Sequence, residues 1–233
     1  WDFGKPYINI WGNPTTVAKE WGRFSSKFKS FLFSEKKVPA FELTEQSNMD
    51  QVVRQMQTGR YRILHGYSNI IYLLAKHIEQ NSIRLKVFES VITTAEMLQP
   101  FQKACIERNI GPVRDYYGCG EIMGIAYQCC DQSNYHIIEP HVIVEFGDVV
   151  DDLGNRELFI TDLDNYAMPL IRYATGDKGK PGTPRICACG NAFGILQSIS
   201  GRTSDIIRTQ DGGALSVPSF LGSSLLKEIS GID

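Results

Sequence analysis

The 233-residue sequence predicts an α/β fold: a largely parallel sheet with helices, a small β-barrel-like subdomain, and the start of a small C-terminal α+β domain. Three observations carry this. Between Asn48 and Tyr117, amphipathic helical segments alternate with short apolar strands, the pattern of a parallel sheet with crossover helices. After Gly120, strand-like segments follow one another without long helices between them. Near the end, Asp211-Gly212-Gly213 marks a tight hairpin, and a helix starts near Ser219.

Residues 1–48 are rich in aromatics and Lys, with a turn signal at Gly12-Asn13-Pro14, and show no regular period. Asn48 is placed to cap a helix running to about Thr58 and stopped by Gly59. Tyr61-Arg62-Ile63-Leu64-His65 reads as a short strand, and Ser68 as the cap of a second helix with Ile70, Ile71, Leu74 and Ile78 on one face. Residues 85–92 read as a mostly buried strand, 96–107 as a helix and 113–116 as another strand. Residues 123–129, 135–146, 157–161 and 195–200 then form a meander or small barrel, with a turn at Asp151-Asp152-Leu153-Gly154-Asn155. The expected division is one large domain over 1–201, made of a sheet part (48–121) and a β part (122–201). A connector and the beginning of a second domain follow over 202–233.

A formal net charge of −2, scattered along the chain, argues against nucleic acid or an anionic membrane as the main partner. No apolar run approaches the ~20 residues of a membrane helix. The first residues lack the basic start and apolar core of a signal peptide, so the cytoplasm is expected. Six cysteines in a chain this long, with long cysteine-free stretches, do not suggest a disulfide framework.

Three short segments, in order, offer the groups that hold Mg-ATP. They are Tyr117-Gly118-Cys119-Gly120-Glu121, Arg172-Tyr173-Ala174-Thr175-Gly176-Asp177 and Gly201-Arg202-Thr203-Ser204-Asp205. Tyr117 follows a strand directly, where ligands sit in parallel sheets, and its ring can lie against a purine while Gly118 lets the backbone approach. Glu121 is a hard oxygen ligand suited to Mg²⁺ on phosphates; a surface acid is the bland alternative. Thr93-Thr94-Ala95-Glu96 ends a strand and begins a helix, so its backbone at Ala95 and Glu96 can line an adenine or acyl pocket; a plain Thr-capped helix competes. Asp115 can accept a hydrogen bond from an adenine amino group or face solvent. Asp177 can accept hydrogen bonds from both ribose hydroxyls, and Arg202 offers a planar fork to ribose or phosphate oxygens. Arg172 serves phosphate or pairs with a local acid. Asp205 sits where one domain hands over to the next.

These segments resemble the tyrosine-glycine-x-x-glutamate, tyrosine-arginine-threonine-glycine-aspartate and glycine-arginine-x-x-aspartate signatures of adenylate-forming enzymes, the superfamily of acyl-CoA synthetases, adenylation domains and luciferases. Val91-Ile92-Thr93-Thr94-Ala95-Glu96, the run from Asp162 to Tyr173, and Cys187-Ala188-Cys189-Gly190 look like the branch of phenylacetate–coenzyme A ligases and CapK-type capsule-biosynthesis proteins. The resemblance covers roughly residues 48–210. It implies ATP-dependent activation of a small-molecule carboxylic acid as an acyl-adenylate, then transfer to a thiol, coenzyme A being expected. It also implies Glu121 on Mg²⁺, Tyr117 on adenine, Asp177 and Arg202 on ribose, and Asp205 as the hinge of a C-terminal lid. The phosphate-wrapping loop of that superfamily is expected before Trp1 and its lysine beyond Asp233, so these residues alone are not expected to adenylate. Ala174 stands where arginine is usual, and Gly120 where serine or threonine is common. These departures sustain a second reading, a non-catalytic nucleotide-binding or assembly protein of capsular polysaccharide biosynthesis. A third reading is a plain zinc-stabilised interaction domain. Oligomeric state is left open, a homodimer included.

Cys187-Ala188-Cys189-Gly190 puts two thiols on one knuckle, with Cys129 and His136 on neighbouring expected strands. Three Cys and one His make a closed, structural zinc site, which members of this branch can carry; Cys130 is an alternative to Cys129. Idle buried thiols are the rival account. His65 and His77 are expected to be satisfied core or surface histidines, Trp1, Trp11 and Trp21 to be packing residues, and Phe28, Phe31 and Phe33 to fill the core or line an acyl pocket. Cys119 has no visible base beside it and little claim to be a nucleophile.

Overall fold

Tyr7–Trp11 alternates large apolar with polar side chains, and its Ile8 and Ile10 are fully buried in the first strand, β1. The computed structural model describes residues 4–12, 24–129, 134–183, 187–202, 206–208 and 214–216. They divide into two compact units, 1–115 and 116–233.

In the first unit β1 is followed by α1 (Phe24–Leu32), β2 (Glu35–Pro39), a 3-10 turn over Ala40–Thr44, α2 (Gln46–Gln57) and β3 (Ile63–Tyr67). Then come α3 (Ser68–Gln80), β4 (Ser90–Thr94), α4 (Pro100–Asn109) and β5 (Val113–Tyr117), whose last two residues belong to the second unit. β1 runs parallel to both β2 and β3, and β3 parallel to β4, as the alternation of helices and strands requires. On α3 the expected face is the buried one: Ile70, Ile71, Leu74 and Ile78 are all at most 1% exposed, each worth about 2 kcal/mol of transfer free energy.

The helix starts differ from the sequence reading. Helix α2 begins before Asn48, whose amide instead donates to the Glu42 carbonyl at 2.9 Å. Ser68 opens α3 without capping it, and its hydroxyl donates to the Glu96 carbonyl at 3.0 Å. Helix α4 starts at Pro100 rather than Glu96, because Gln99 and Gln102 form a reciprocal capping box there. Residues 1–48, read as irregular, contribute β1 and β2. The phenylalanines of α1 do not fill a core: Phe28 and Phe31 are 56% and 82% exposed and Phe33 39%, and the helix buries no residue. Trp11 packs as expected, stacked on Tyr67 at 4.5 Å and on His65 at 5.7 Å; Trp1 and Trp21 lie outside the described residues.

The second unit is antiparallel. It holds β6 (Ala126–Gln128), β7 (Tyr135–Ile137), β8 (Val142–Val150), β9 (Arg156–Asp162), β10 (Tyr173–Pro181) and β11 (Ile195–Arg202), with β12 (Ile206–Arg208) and β13 (Ala214–Ser216) as a separate pair. The hydrogen-bonded order of the large sheet is β2-β1-β3-β4-β5-β6-β7-β11-β10-β9-β8. That order does not return on itself, so the expected barrel-like closure is absent and the sheet is mixed and open. The stretch 135–146 is two strands, broken by a turn at Glu139-Pro140. The turn around Gly154 is as expected, with Asp151 Oδ1 accepting the Leu153 and Asn155 amides at 3.1 and 2.8 Å. Ile122, Ile125, Ala126, Val142, Leu158, Ile160 and Leu196 form its core around Tyr117.

No helix among the described residues is long and apolar enough to cross a membrane.

Candidate functional site

Tyr117 closes β5, and Asp177 lies in the middle of β10, sixty residues on. The Tyr117 hydroxyl donates to Asp177 Oδ2 at 2.9 Å. Both residues are buried, at 9% and 8% exposure. Burial first, then the Asp177 charge, pushes the Tyr117 phenol well above its usual range, so it stays a donor. Asp177 is presented by a local device: its amide donates to Thr175 Oγ1 at 3.1 Å, beside a register shift between β9 and β10. A carboxylate has about four acceptor positions, and the Tyr117 phenol takes one of them. Arg202 is the register partner of Asp177 across β10 and β11.

Glu121 is exposed, in the bend that follows Gly118-Cys119-Gly120. The Cys119 amide donates to the Ile122 carbonyl and the Ile125 amide to the Tyr117 carbonyl, both at 2.9 Å, which ties the loop to the end of β5. Gly118 is needed there because a Cβ would come within 3.0 Å of the Gly124 nitrogen. The Cys119 thiol is pushed up by burial, against two backbone amides that lower it, so the thiolate a nucleophile needs is disfavoured.

In the first unit, Thr93 Oγ1 donates to Asp115 Oδ1 at 2.8 Å, joining the ends of β4 and β5. Ala95 adopts φ +67, rare for a residue with a side chain, just after β4. Glu96 Oε2 accepts the Asn69 amide at 3.1 Å near the start of α3. Arg172 settles on the local acid: it pairs with Glu145, and its guanidinium lies over the Phe159 ring at 5.6 Å. Asp205 and Cys130 lie outside the described residues.

The thiols converge. Cys129, His136, Cys187 and Cys189 each offer a ligand atom, all within 4.8 Å of one another. Cys129 Sγ lies 3.3 Å from Cys187 Sγ, and Cys189 Sγ lies 3.4 Å from His136 Nε2. Strand β7 supplies His136, the residue after β6 supplies Cys129, and the knuckle supplies the other two. Gly190 closes the knuckle with φ +81 and donates its amide to the Cys187 carbonyl at 2.8 Å. His136 is 1% exposed, and its Nδ1 finds no hydrogen-bond partner among the described residues. The ring nitrogen that faces the thiols is Nε2, opposite that orphan.

Other histidines are satisfied locally. His77 Nε2 meets Asp50 Oδ1 at 2.8 Å and His65 Nδ1 meets Asn9 Oδ1 at 2.9 Å. One cluster went unread in the sequence. His141, Asp162 and Asp164 come together, and His141 reaches both Asp164 Oδ2, at 2.6 Å, and the Met123 carbonyl, at 2.7 Å. Its partners are 23 and 18 residues away, and no local spacing announces them.

No protein-family model matches the chain. A phenylacetate-coenzyme A ligase of Escherichia coli (strain K12) is 28% identical over 189 residues, covering 76% of this chain and 41% of that protein. A phenylacetate-coenzyme A ligase of Pseudomonas putida is 29% identical over 175 residues, covering 67% and 37%. The chain thus spans about two fifths of the length of these curated relatives. Among solved structures, a 2-hydroxyisobutyryl-CoA ligase in its postadenylation state, in complex with R3-HIB-AMP, superposes with a TM-score of 0.66 at 18% identity. The match covers 97% of this chain and 49% of that one, and it shows that the α/β fold is shared. The chain is thus similar in sequence to phenylacetate–coenzyme A ligases and shares its α/β fold with a solved CoA ligase.

Proposed function

We propose that this chain is the nucleotide-holding part of an ATP-dependent ligase that activates a carboxylic acid as its adenylate and passes the acyl group to coenzyme A. The observation that carries this is the hydrogen bond between Tyr117 and Asp177, which joins the first two motifs of the sequence in one place. The register pairing of Asp177 with Arg202 adds the third. In this reading Asp177 accepts the ribose hydroxyls. Tyr117 hydrogen-bonds that carboxylate and stacks its ring on adenine. Arg202 serves ribose or phosphate oxygens, while Asp115, Ala95 and Glu96 border the base. Asp205 remains the proposed hinge.

Two metal roles belong to the same proposal. Glu121 would hold the Mg²⁺ that accompanies ATP: it is an exposed hard-oxygen ligand on a loop tied by two backbone hydrogen bonds. When bound, that ion neutralises charge on the phosphates. Cys129, His136, Cys187 and Cys189 would hold structural Zn²⁺. Three thiols and an imidazole, mostly buried, fit that ion's donor preference and leave no open position for chemistry. Such a site fastens β6, β7 and the knuckle before β11.

The cytoplasm is the proposed location. The non-catalytic alternative, an assembly protein of polysaccharide synthesis, is less favoured, because the curated relatives are ligases by name. Calorimetric titration with AMP tests the nucleotide site: wild type binds, and Asp177→Ala binds at least about tenfold more weakly, having lost a charge-assisted acceptor. Equal binding by both would overturn it. Pyrophosphate release by the parent protein across aryl and alkyl acids tests the ligase step.

A further inference from the structure

We infer that His141 is a positioning residue, a protonated clamp that holds the loop carrying Glu121 against the β9–β10 connection and releases it as pH rises. The inference builds on the proposed role of that loop in nucleotide binding. His141 immediately precedes β8. Its Nδ1 meets the Asp164 carboxylate and its Nε2 meets the Met123 carbonyl, at 2.6 and 2.7 Å. Both partners are acceptors only. A neutral imidazole has a single N–H, so one of these short approaches would set lone pair against lone pair; the imidazolium donates to both.

The two acceptors belong to different segments. Met123 lies two residues after Glu121, so its carbonyl ties that loop to the His141 side chain. Asp164 sits in the connection after β9, where Asp162 Oδ1 accepts the Asp164 and Asn165 amides at 2.9 and 3.3 Å and holds that segment firm. The clamp therefore joins a preset anchor to the loop.

The charged groups acting on the ring are Asp162 and Asp164 from the β9–β10 side. The Tyr116 hydroxyl of β5 sits beside Gly124. Burial alone lowers the His141 pKa. The bond to Asp164, the bond to Met123 and the fields of Asp162 and Asp164 outweigh it and raise the pKa above its ordinary 6.5. The same triad of ligand atoms would suit a divalent cation, but here both ring nitrogens are already engaged by hydrogen-bond acceptors.

Ring NMR of the full chain, without nucleotide, tests the clamp. Both His141 nitrogens should carry protons at about pH 6, and the ring should titrate above its ordinary value. Asp164→Asn should move that titration downward while leaving His77 unchanged. Amide exchange in residues 118–125 should quicken as the ring loses its proton. In calorimetry, AMP affinity should fall about three- to tenfold across the same titration, the scale of one charge-assisted hydrogen bond partly relayed. His141→Gln should bind at the high-pH level at every pH. A single ring proton at pH 6, a titration at or below the ordinary value, or displacement of the ring signals by added Mg²⁺ or Zn²⁺ would each overturn the clamp. Failure of AMP to bind at any pH would instead remove the nucleotide reading, with the ring and exchange measurements still deciding the clamp.

Discussion

Two histidines five residues apart live in opposite surroundings. His136 on β7 is almost fully buried; its Nε2 faces Cys189, and its Nδ1 has no hydrogen-bond partner among the described residues. His141, just before β8, is half-buried and has an acceptor on each nitrogen. The first environment is the one proposed to hold a metal ion. The second is complete once the ring is charged. Residue type therefore says little about role; the inventory of donors and acceptors around the ring says much more.

The largest effect expected from breaking this contrast is at the thiols. Cys187→Ser, or exhaustive chelation of the wild type, should abolish zinc binding and cost about 4 kcal/mol or more in urea unfolding, the range of a lost structural metal. Stoichiometric zinc in that variant, or none in the wild type purified without chelator, would erase the difference between the histidines. Next in size is Asp177→Ala, which leaves the buried Tyr117 hydroxyl without its acceptor and should destabilise by about 1–3 kcal/mol. Tyr117→Phe should cost less than Asp177→Ala in the same unfolding assay, since it removes the hydroxyl along with its bond and leaves no buried donor without an acceptor.

The pH dependence of stability sharpens the other half. The folded His141 pKa is raised, so the contribution of this residue is complete below the ordinary value of 6.5. It is lost as pH climbs through the folded value, and Asp164→Asn should flatten that loss. The smallest effect belongs to Arg172→Ala. Its pair with Glu145 is 60% and 36% exposed, so less than about 1 kcal/mol is expected.

How much of this was legible depended on sequence distance. The helices and strands from Gln46 to Tyr117 announced themselves by period, because each buries one local face. The four zinc-ligand candidates were legible as chemistry, since few other roles suit a buried cysteine pair beside a histidine. Strand β10 was not: Thr175-Gly176-Asp177 reads as a turn, and only pairing with β9 and β11 on either side draws this Gly- and Lys-rich stretch into a strand. Strand β1 carried a period of two over only five residues, too short to stand out among the aromatics around it. The expected barrel failed because strand texture does not encode closure; that depends on whether the outermost strands meet, and β8 does not. The His141 contacts depend on three chain segments meeting, which no spacing rule conveys.

The hydroxyl of Tyr117 points at the carboxylate where a sugar diol is proposed to dock. Any guest arriving at Asp177 must share that oxygen pair, so the phenol's electronic state changes whenever the seat is taken. A fluorine placed on this one aromatic ring would turn the protein into its own occupancy gauge, readable without turnover.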